Sequence, residues 1–255
     1  MRLSDKMPRR KLRSAPNAAA GRKQARGSVE HRKETEVKLR VADRQALLRQ
    51  LARLRASYHG RVHEMNTLYD TPGGALLRGG KLLRIRIERP AEPQRSRAMP
   101  SSAGRDSQQA LLTFKGPLRR KEQGKSRGDR RYKIREEREV RVADGEALAR
   151  ILGALGLRPS FRYEKYRSTY RLPRLSGVTL ELDETPIGDF LEAEGSRAGI
   201  DRSAALLGYR PADYITTTYG QLFLDEAGRG GETGARKRGR IAGTRARDML
   251  FPREK

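Results

Sequence analysis

The stretch His31-Arg32-Lys33-Glu34-Thr35-Glu36-Val37-Lys38-Leu39-Arg40-Val41 alternates with a period of two. As an extended strand it puts Glu34, Glu36 and Lys38 on one face and Thr35, Val37 and Leu39 on the other. Alone, such a strand reads as a surface strand with a solvated charged face. The pattern recurs. Leu83-Arg84-Ile85-Arg86-Ile87 alternates the same way, as do Leu112-Thr113-Phe114-Lys115 and Tyr163-Glu164-Lys165-Tyr166-Arg167. Ile134 to Val140 sets Arg135, Glu137 and Glu139 on one side. Val178 to Asp183 and Leu191 to Glu194 do so with Glu181, Asp183, Glu192 and Glu194. Strands that all carry charge on one face are expected to close into a barrel with a wet, charged interior and an apolar exterior covered by helices. The expected fold is α+β: a closed antiparallel eight-stranded β-barrel with helices packed on the outside. A tunnel lined by both signs suits a metal bound to a polyanion.

The formal net charge of +26 would by itself suggest nucleic acid, but its distribution narrows that reading. Residues 1–28 carry nine Lys or Arg against one acid, and residues 228–255 carry nine against three, so the tails hold roughly half of the excess. Both tails are rich in Gly, Ala and Arg, the composition of disordered arms. The division expected is a basic tail over 1–28, a tunnel domain over 29–226 and a second basic tail over 227–255. Flexible loops are expected near 90–109 and 118–131. The strongly basic 118–131 loop reads either as a mobile element at a tunnel mouth that attracts an anion, or as a solvated hairpin tip. The sequence has no Cys, which removes disulfides and thiol chemistry. No apolar run approaches membrane-spanning length and the N-terminal residues lack a secretory apolar segment, so a cytoplasmic protein with no membrane contact is expected.

Asp43 is placed to cap a helix whose Leu47, Leu48, Leu51 and Leu54 form an apolar stripe. Asn66 to Gly74 reads as a strand ending in a Pro-Gly turn. The segment Glu36 to Asp43, followed by an apolar helix, is echoed by Glu139-Val140-Arg141-Val142-Ala143-Asp144 followed by Leu148, Ile151, Leu152 and Leu155. Two strand-helix units of this kind suggest a barrel of two related halves. Near the end, Asp201 is expected to cap a helix through Leu207, Ala212 to Leu224 to form another, and the chain beyond Asp225 to be disordered.

These residues resemble the CYTH superfamily, the triphosphate tunnel metalloenzymes that include class IV adenylate cyclases, thiamine triphosphatases and inorganic triphosphatases. Glu34-Thr35-Glu36-Val37-Lys38 matches the family's Glu-x-Glu-x-Lys signature, and Tyr69-Asp70-Thr71 and Leu83-Arg84-Ile85-Arg86 look like its next strands. Thr113 to Pro117, Lys165-x-Arg167 and Leu182-Asp183 followed by Gly188 to Glu194 look most like the class IV cyclase branch. The resemblance covers roughly residues 30–225. It implies Lys38, Arg84, Arg86, Lys115, Arg135, Lys165 and Arg167 as triphosphate contacts, by Arg forks and Lys point charges. Glu34, Glu36, Glu137, Glu139, Asp183, Glu192 and Glu194 are the implied ligands of Mg²⁺ or Mn²⁺, with Asp183 instead able to hold a cation in place. Glu34, Glu36, Lys38 and Lys115 are the implied catalytic set. Tyr69 and Phe190 read as packing residues.

Two reactions are open: hydrolysis of tripolyphosphate or of an organic or nucleoside triphosphate, the first choice, and cyclisation of ATP to cyclic AMP and pyrophosphate. Both rest on positioning and charge neutralisation rather than a covalent nucleophile. A non-catalytic polyphosphate binder is the reading from a different class. The basic tails add an expected nonspecific contact with nucleic acid or polyphosphate. His31, His59 and His63 show no metal-binding or triad spacing.

Overall fold

The computed structural model describes residues 30–91, 108–118, 131–229 and 248–251. The expected tail over 1–28 lies outside them, as do most of the 90–109 and 118–131 loops and much of the C-terminal tail. Eight strands form the wall: β1 (Glu30–Val41), β2 (Ser57–Asp70), β3 (Leu82–Pro90), β4 (Gln109–Lys115), β5 (Lys133–Val142), β6 (Arg158–Arg171), β7 (Thr179–Thr185) and β8 (Gly188–Glu194). Their order is β2-β3-β4-β5-β1-β8-β7-β6, and β6 pairs back onto β2, closing an antiparallel barrel. Closure leaves the barrel no free edge over its central rows.

Helices cover the outside. Helix α1 (Arg44–Arg53) follows β1, the one-turn α2 (Ala75–Arg78) follows β2, and α3 (Gly145–Ala154) follows β5. Helix α4 (Arg197–Leu206) follows β8, and α5 (Tyr219–Arg229) follows a 3₁₀ turn at Pro211–Asp213. Val37 and Leu39 of β1, Leu180 and Leu182 of β7 and Leu191 of β8 point outward and are buried against Leu47 and Leu51 of α1 and Ile200 and Ala204 of α4. Each such side chain removed from water contributes about 1.5–3 kcal/mol. The apolar core of this half therefore sits outside the barrel, and the barrel's interior is left to charge.

The two strand-helix units correspond. Asp43 accepts the Ala46 N–H at 2.9 Å, and Asp144 accepts those of Glu146 and Ala147. Their backbones are nearly superposable, at φ −130°, ψ 104° and φ −134°, ψ 103°. The halves meet where β1 pairs with β5 and β2 with β6, so β1 to β4 and β5 to β8 occupy equivalent places in the ring. At Gly195 the chain leaves β8 with φ +156°, and an added Cβ would come within 2.5 Å of the Gly177 carbonyl oxygen, so glycine is required there.

Three expectations at the C-terminal end are corrected. Asp201 does not cap α4: Ser196 does, its Oγ accepting the Gly199 N–H at 3.1 Å, while Asp201 accepts the hydroxyls of Tyr132 and Tyr214. Residues 212–224 are not one helix. Pro211 opens a tight turn, Ile215 is bridged to Lys38, and the β-branched run Thr216-Thr217-Thr218, which resists helical χ1 angles, stays outside regular structure before α5 starts. Nor is the chain beyond Asp225 wholly a free tail: α5 runs to Arg229, and β9 (Asp248–Met249) pairs in parallel with β6 at Arg162 and Tyr163. β7 starts pairing with β6 only at Tyr166, so this part of β6 offers an edge for β9. Met249 is fully buried in an apolar cluster with Tyr163, Phe190, Tyr219 and Leu222.

Met249→Ala should therefore destabilise the protein by about 2–4 kcal/mol in urea unfolding, the cost of a buried Met truncated in a core. Unchanged stability would mean that the C-terminal strand contributes no packing.

Candidate active site

The inner faces of the strands converge on a cavity of about 230 Å³. β1 contributes Arg32, Glu34, Glu36 and Lys38, β5 contributes Lys133, Arg135, Glu137 and Glu139, and β8 contributes Glu192 and Glu194. Arg84 and Arg86 come from β3, Lys115 from β4, Lys165 and Arg167 from β6, and Glu181 from β7. Period-two alternation sends all of these inward, because the intervening residues are the ones packed beneath the helices.

The charges interleave as ion pairs. Lys115 Nζ lies 2.8 and 2.6 Å from the two oxygens of Glu34, Lys133 Nζ 2.5 Å from Glu36, and Lys38 Nζ 2.7 Å from Glu192. Arg167 donates to both oxygens of Asp183, at 2.6 and 2.7 Å, and also contacts Glu181 and Glu192. Lys165 Nζ and the Tyr219 hydroxyl donate to Asp183 Oδ2 at 2.8 and 2.7 Å. Arg84 donates to Tyr163 Oη and Thr113 Oγ1, and Arg135 to the Gly116 and Gly80 carbonyls. At one end Arg32 bridges Glu194 at 3.0 Å and Glu137 at 3.3 Å, with about half of its side chain in solvent.

Burial and neighbouring charge divide the carboxylates into two groups. Burial alone would raise Glu36, but Lys133, Lys115 and Lys38 outweigh it and hold the carboxyl well below its ordinary range. Glu192 is likewise held down against burial by Lys38, Arg167 and Lys165. Glu194 behaves in the opposite way: burial, only partly countered by Arg32 and reinforced by Glu34, Glu181 and Glu137, pushes it up to about 7. Burial also takes Glu181 to about 7 despite Arg167, and raises Glu34 despite Lys115. Glu137 beside them is held below its ordinary range against burial by Lys115 and Arg32, so Glu34 and Glu194 are the acids in this corner whose charge the cations do not fully offset.

Thirteen of the fourteen residues expected at the site line this one cavity. Asp183 shares the inward face of β7 with Glu181 but is fully buried beneath the lining side chains, its oxygens occupied by Lys165, Arg167 and Tyr219. In the structure its carboxylate holds the cationic side chains of Lys165 and Arg167. Reading the sequence missed Lys133, Arg32 and Glu64. Lys133 sits two residues before Arg135, so starting that strand one alternation earlier would have found it. Glu64 and Asn66 alternate with Met65 and Thr67 in β2, and their inward orientation was equally legible. Tyr219 gave no such signal, because it reaches the site from a helix. Tyr69 and Phe190 are buried and pack as expected.

Among the described residues no three acids converge as a preformed metal cage. The donor chemistry nevertheless fits Mg²⁺ or Mn²⁺: Glu34 and Glu194, whose charge is not fully offset, offer hard oxygen donors, with Glu36, Glu137, Glu139 and Glu192 beside them. A larger groove of about 560 Å³ lies on the outer wall, where Met65, Ile85 and Ile87 meet scattered charges. It lacks the interleaved rows of the interior.

The CYTH domain model matches residues 32–207, more than half of the chain and nearly the whole barrel. The chain belongs to the CYTH family. Solved structures of similar fold include a putative adenylate cyclase from Vibrio parahaemolyticus, at 19% identity over 75% of this chain and 97% of that one, with a TM-score of 0.56. The PH1819 protein of Pyrococcus horikoshii OT3 aligns at 22% identity over 76% and 99%, with a TM-score of 0.57. The PH1012 protein of the same organism does so at 23% over 73% and 96%, with a TM-score of 0.51. No match is found among curated proteins. At these identities the likeness to solved structures shows the fold. The β9 strand falls outside the residues that the CYTH model matches. Among the described residues no helix is long and apolar enough to cross a membrane.

A carboxyl whose folded pKa lies above its unfolded value near 4.3 costs stability once pH exceeds the unfolded value, and the cost is complete above the folded one. With Glu194 at about 7, Glu194→Gln should melt higher than wild type at pH 8, and the gain should fade between pH 7 and pH 4. A melting-temperature difference that does not change with pH would contradict the crowding described for that corner.

Proposed function

We propose that this CYTH protein is a divalent-metal-dependent phosphohydrolase that takes a short phosphate chain, tripolyphosphate first, into its barrel. The observation that carries this reading is the composition of one small cavity: nine cationic and seven anionic side chains lining about 230 Å³. That volume lies below the range of about 300–1,000 Å³ usual for drug-sized ligands, and it suits a compact phosphate chain better than a whole nucleotide. Its two lining aromatics are already engaged through their rings: Tyr163 stacks on Phe161, and Lys38 lies 4.3 Å above the Tyr219 ring.

In this reading Lys38, Arg84, Arg86, Lys115, Lys165 and Arg167 hold the phosphate oxygens, and Arg135, tied to the Gly80 and Gly116 carbonyls, orients the end of the chain nearest those turns. Glu34, Glu36, Glu137, Glu139, Glu192 and Glu194 would hold the metal. A bound divalent ion would supply charge neutralisation on the phosphate oxygens. The reaction requires water to bond to the terminal phosphorus while the bridging P–O bond breaks. The negative charge developing on the pyrophosphate oxygen falls among Lys38, Lys115 and the arginines, which are fixed before the substrate arrives. Cyclisation of ATP would use the same cations and leave the nucleoside outside this cavity.

Purified protein should be incubated with tripolyphosphate, thiamine triphosphate and ATP, each with Mg²⁺ and with Mn²⁺, and the products identified. Release of phosphate from tripolyphosphate is expected. Formation of cyclic AMP and pyrophosphate from ATP would establish the cyclase instead, and binding without turnover would leave only the polyanion binder. Glu34→Gln should lower kcat by about 10²-fold or more while tripolyphosphate still binds.

A further inference from the structure

We infer that Glu64, a residue outside the cavity lining, is the buried counter-anion that sets Arg86, Lys165 and Arg167 in place as a cradle for phosphate oxygens. The inference rests on the triphosphate reading and adds a positioning residue to it. Glu64 has no exposed surface, and among the described residues no other carboxylate pairs with all three cations. Its Oε1 lies 3.4 Å from Arg86 Nη1 and 3.5 Å from Arg167 Nε, and its Oε2 lies 3.4 Å from Lys165 Nζ. Those cations come from β3 and β6, the two strands that flank β2 in the ring. One carboxylate on the middle strand therefore spans three strands of the wall.

These contacts are ion pairs rather than tight hydrogen bonds. No donor hydrogen-bonds to Oε1, although the atom is buried, and Oε2 accepts only the Asn66 amide at 3.4 Å. An unbonded carboxylate oxygen in a dry wall is costly unless the surrounding charge compensates it. Here three cations do so, and Asn66 completes the arrangement by accepting from Arg86 Nε at 3.2 Å. The benefit is reciprocal. Burial works against the charge on Arg86, and Glu64 more than offsets it. Arg167 and Lys165 are also held by Asp183, whereas the ion pairs of Arg86 among the described residues are with Glu64 and Glu88. Without Glu64, Arg86 would keep only Asn66 and the partly exposed Glu88.

Glu64→Gln keeps the shape of the side chain and removes the charge. The cavity then becomes more positive, so ground-state attraction for an anion does not fall, while the cations repel and shift. Since a displacement on the order of 1 Å can cost 10²-fold in rate, kcat should drop by about tenfold or more with KM for tripolyphosphate within about threefold of wild type. Glu64→Asp, with the charge retained one methylene further back, should recover part of the loss. The arginine side-chain N–H resonances of Arg86 and Arg167, followed by NMR without substrate, should be protected in wild type and shifted or exchange-broadened in both variants.

Folded Glu64→Gln with wild-type kcat, KM and arginine resonances would overturn the inference. Should Glu64→Gln fail to fold, wild-type kcat and resonances in Glu64→Asp would do the same. The two readings separate cleanly. If wild type turns over no triphosphate yet the arginine signals change in Glu64→Gln, Glu64 positions the cations and the triphosphate reading fails. If wild type is active and the variants match it, only the role of Glu64 fails.

Discussion

Charge balance inside a closed barrel is the constraint on which the rest of this molecule depends. The cavity is lined by nine cationic and seven anionic side chains, and the two fully buried acids directly behind them, Glu64 and Asp183, bring the anions to nine. With every group ionised the lattice is neutral, and nearly every charge has an opposite partner in contact. Buried ion pairs add little net stability compared with apolar packing, but removing one partner costs about 3–5 kcal/mol. A fold that places such a lattice where a core would otherwise lie needs its apolar burial elsewhere. Here that burial is the outer layer, where Val37, Leu39, Leu180 and Leu191 meet α1 and α4.

The same balance bears on what can enter. A triphosphate brings about four negative charges, and a neutral, poorly solvated lattice admits them only with compensating positive charge. Divalent cations accompanying the anion supply it, as does protonation of Glu181 and Glu194, the two carboxyls raised to about 7. On the proposed reading a divalent metal would answer the same electrostatic need, since Glu34 and Glu194 are the acids whose charge the neighbouring cations do not fully offset. On that reading, Arg32, half exposed and bridging Glu137 and Glu194, is the group that an incoming cation would have to displace.

Period-two alternation made the barrel and its charged interior legible, because a strand has only two faces and a one-residue slip would invert both. It located thirteen cavity residues from unaligned sequence. The misses share a cause: groups such as Tyr219 enter the site from elements whose placement depends on tertiary packing. The run Thr216 to Thr218 looked continuous with a helical pattern until its β-branched stiffness was weighed, and the bridge from Ile215 to Lys38 is a nonlocal contact with no trace in the local sequence. β9 was invisible for a related reason. Two residues pairing with an edge left open by a short β7 depend on the length of another strand, and the basic composition of the region masked the one buried methionine.

The most direct measurement is a crystal structure of the protein with tripolyphosphate and Mn²⁺, the metal located by its anomalous signal. The account predicts the phosphate chain inside the barrel, its oxygens on Lys38, Arg84, Arg86, Lys115, Lys165 and Arg167, with the metal between it and the Glu34, Glu137 and Glu194 corner. An anion bound to the outer surface, with the interior ion pairs unchanged, would contradict it.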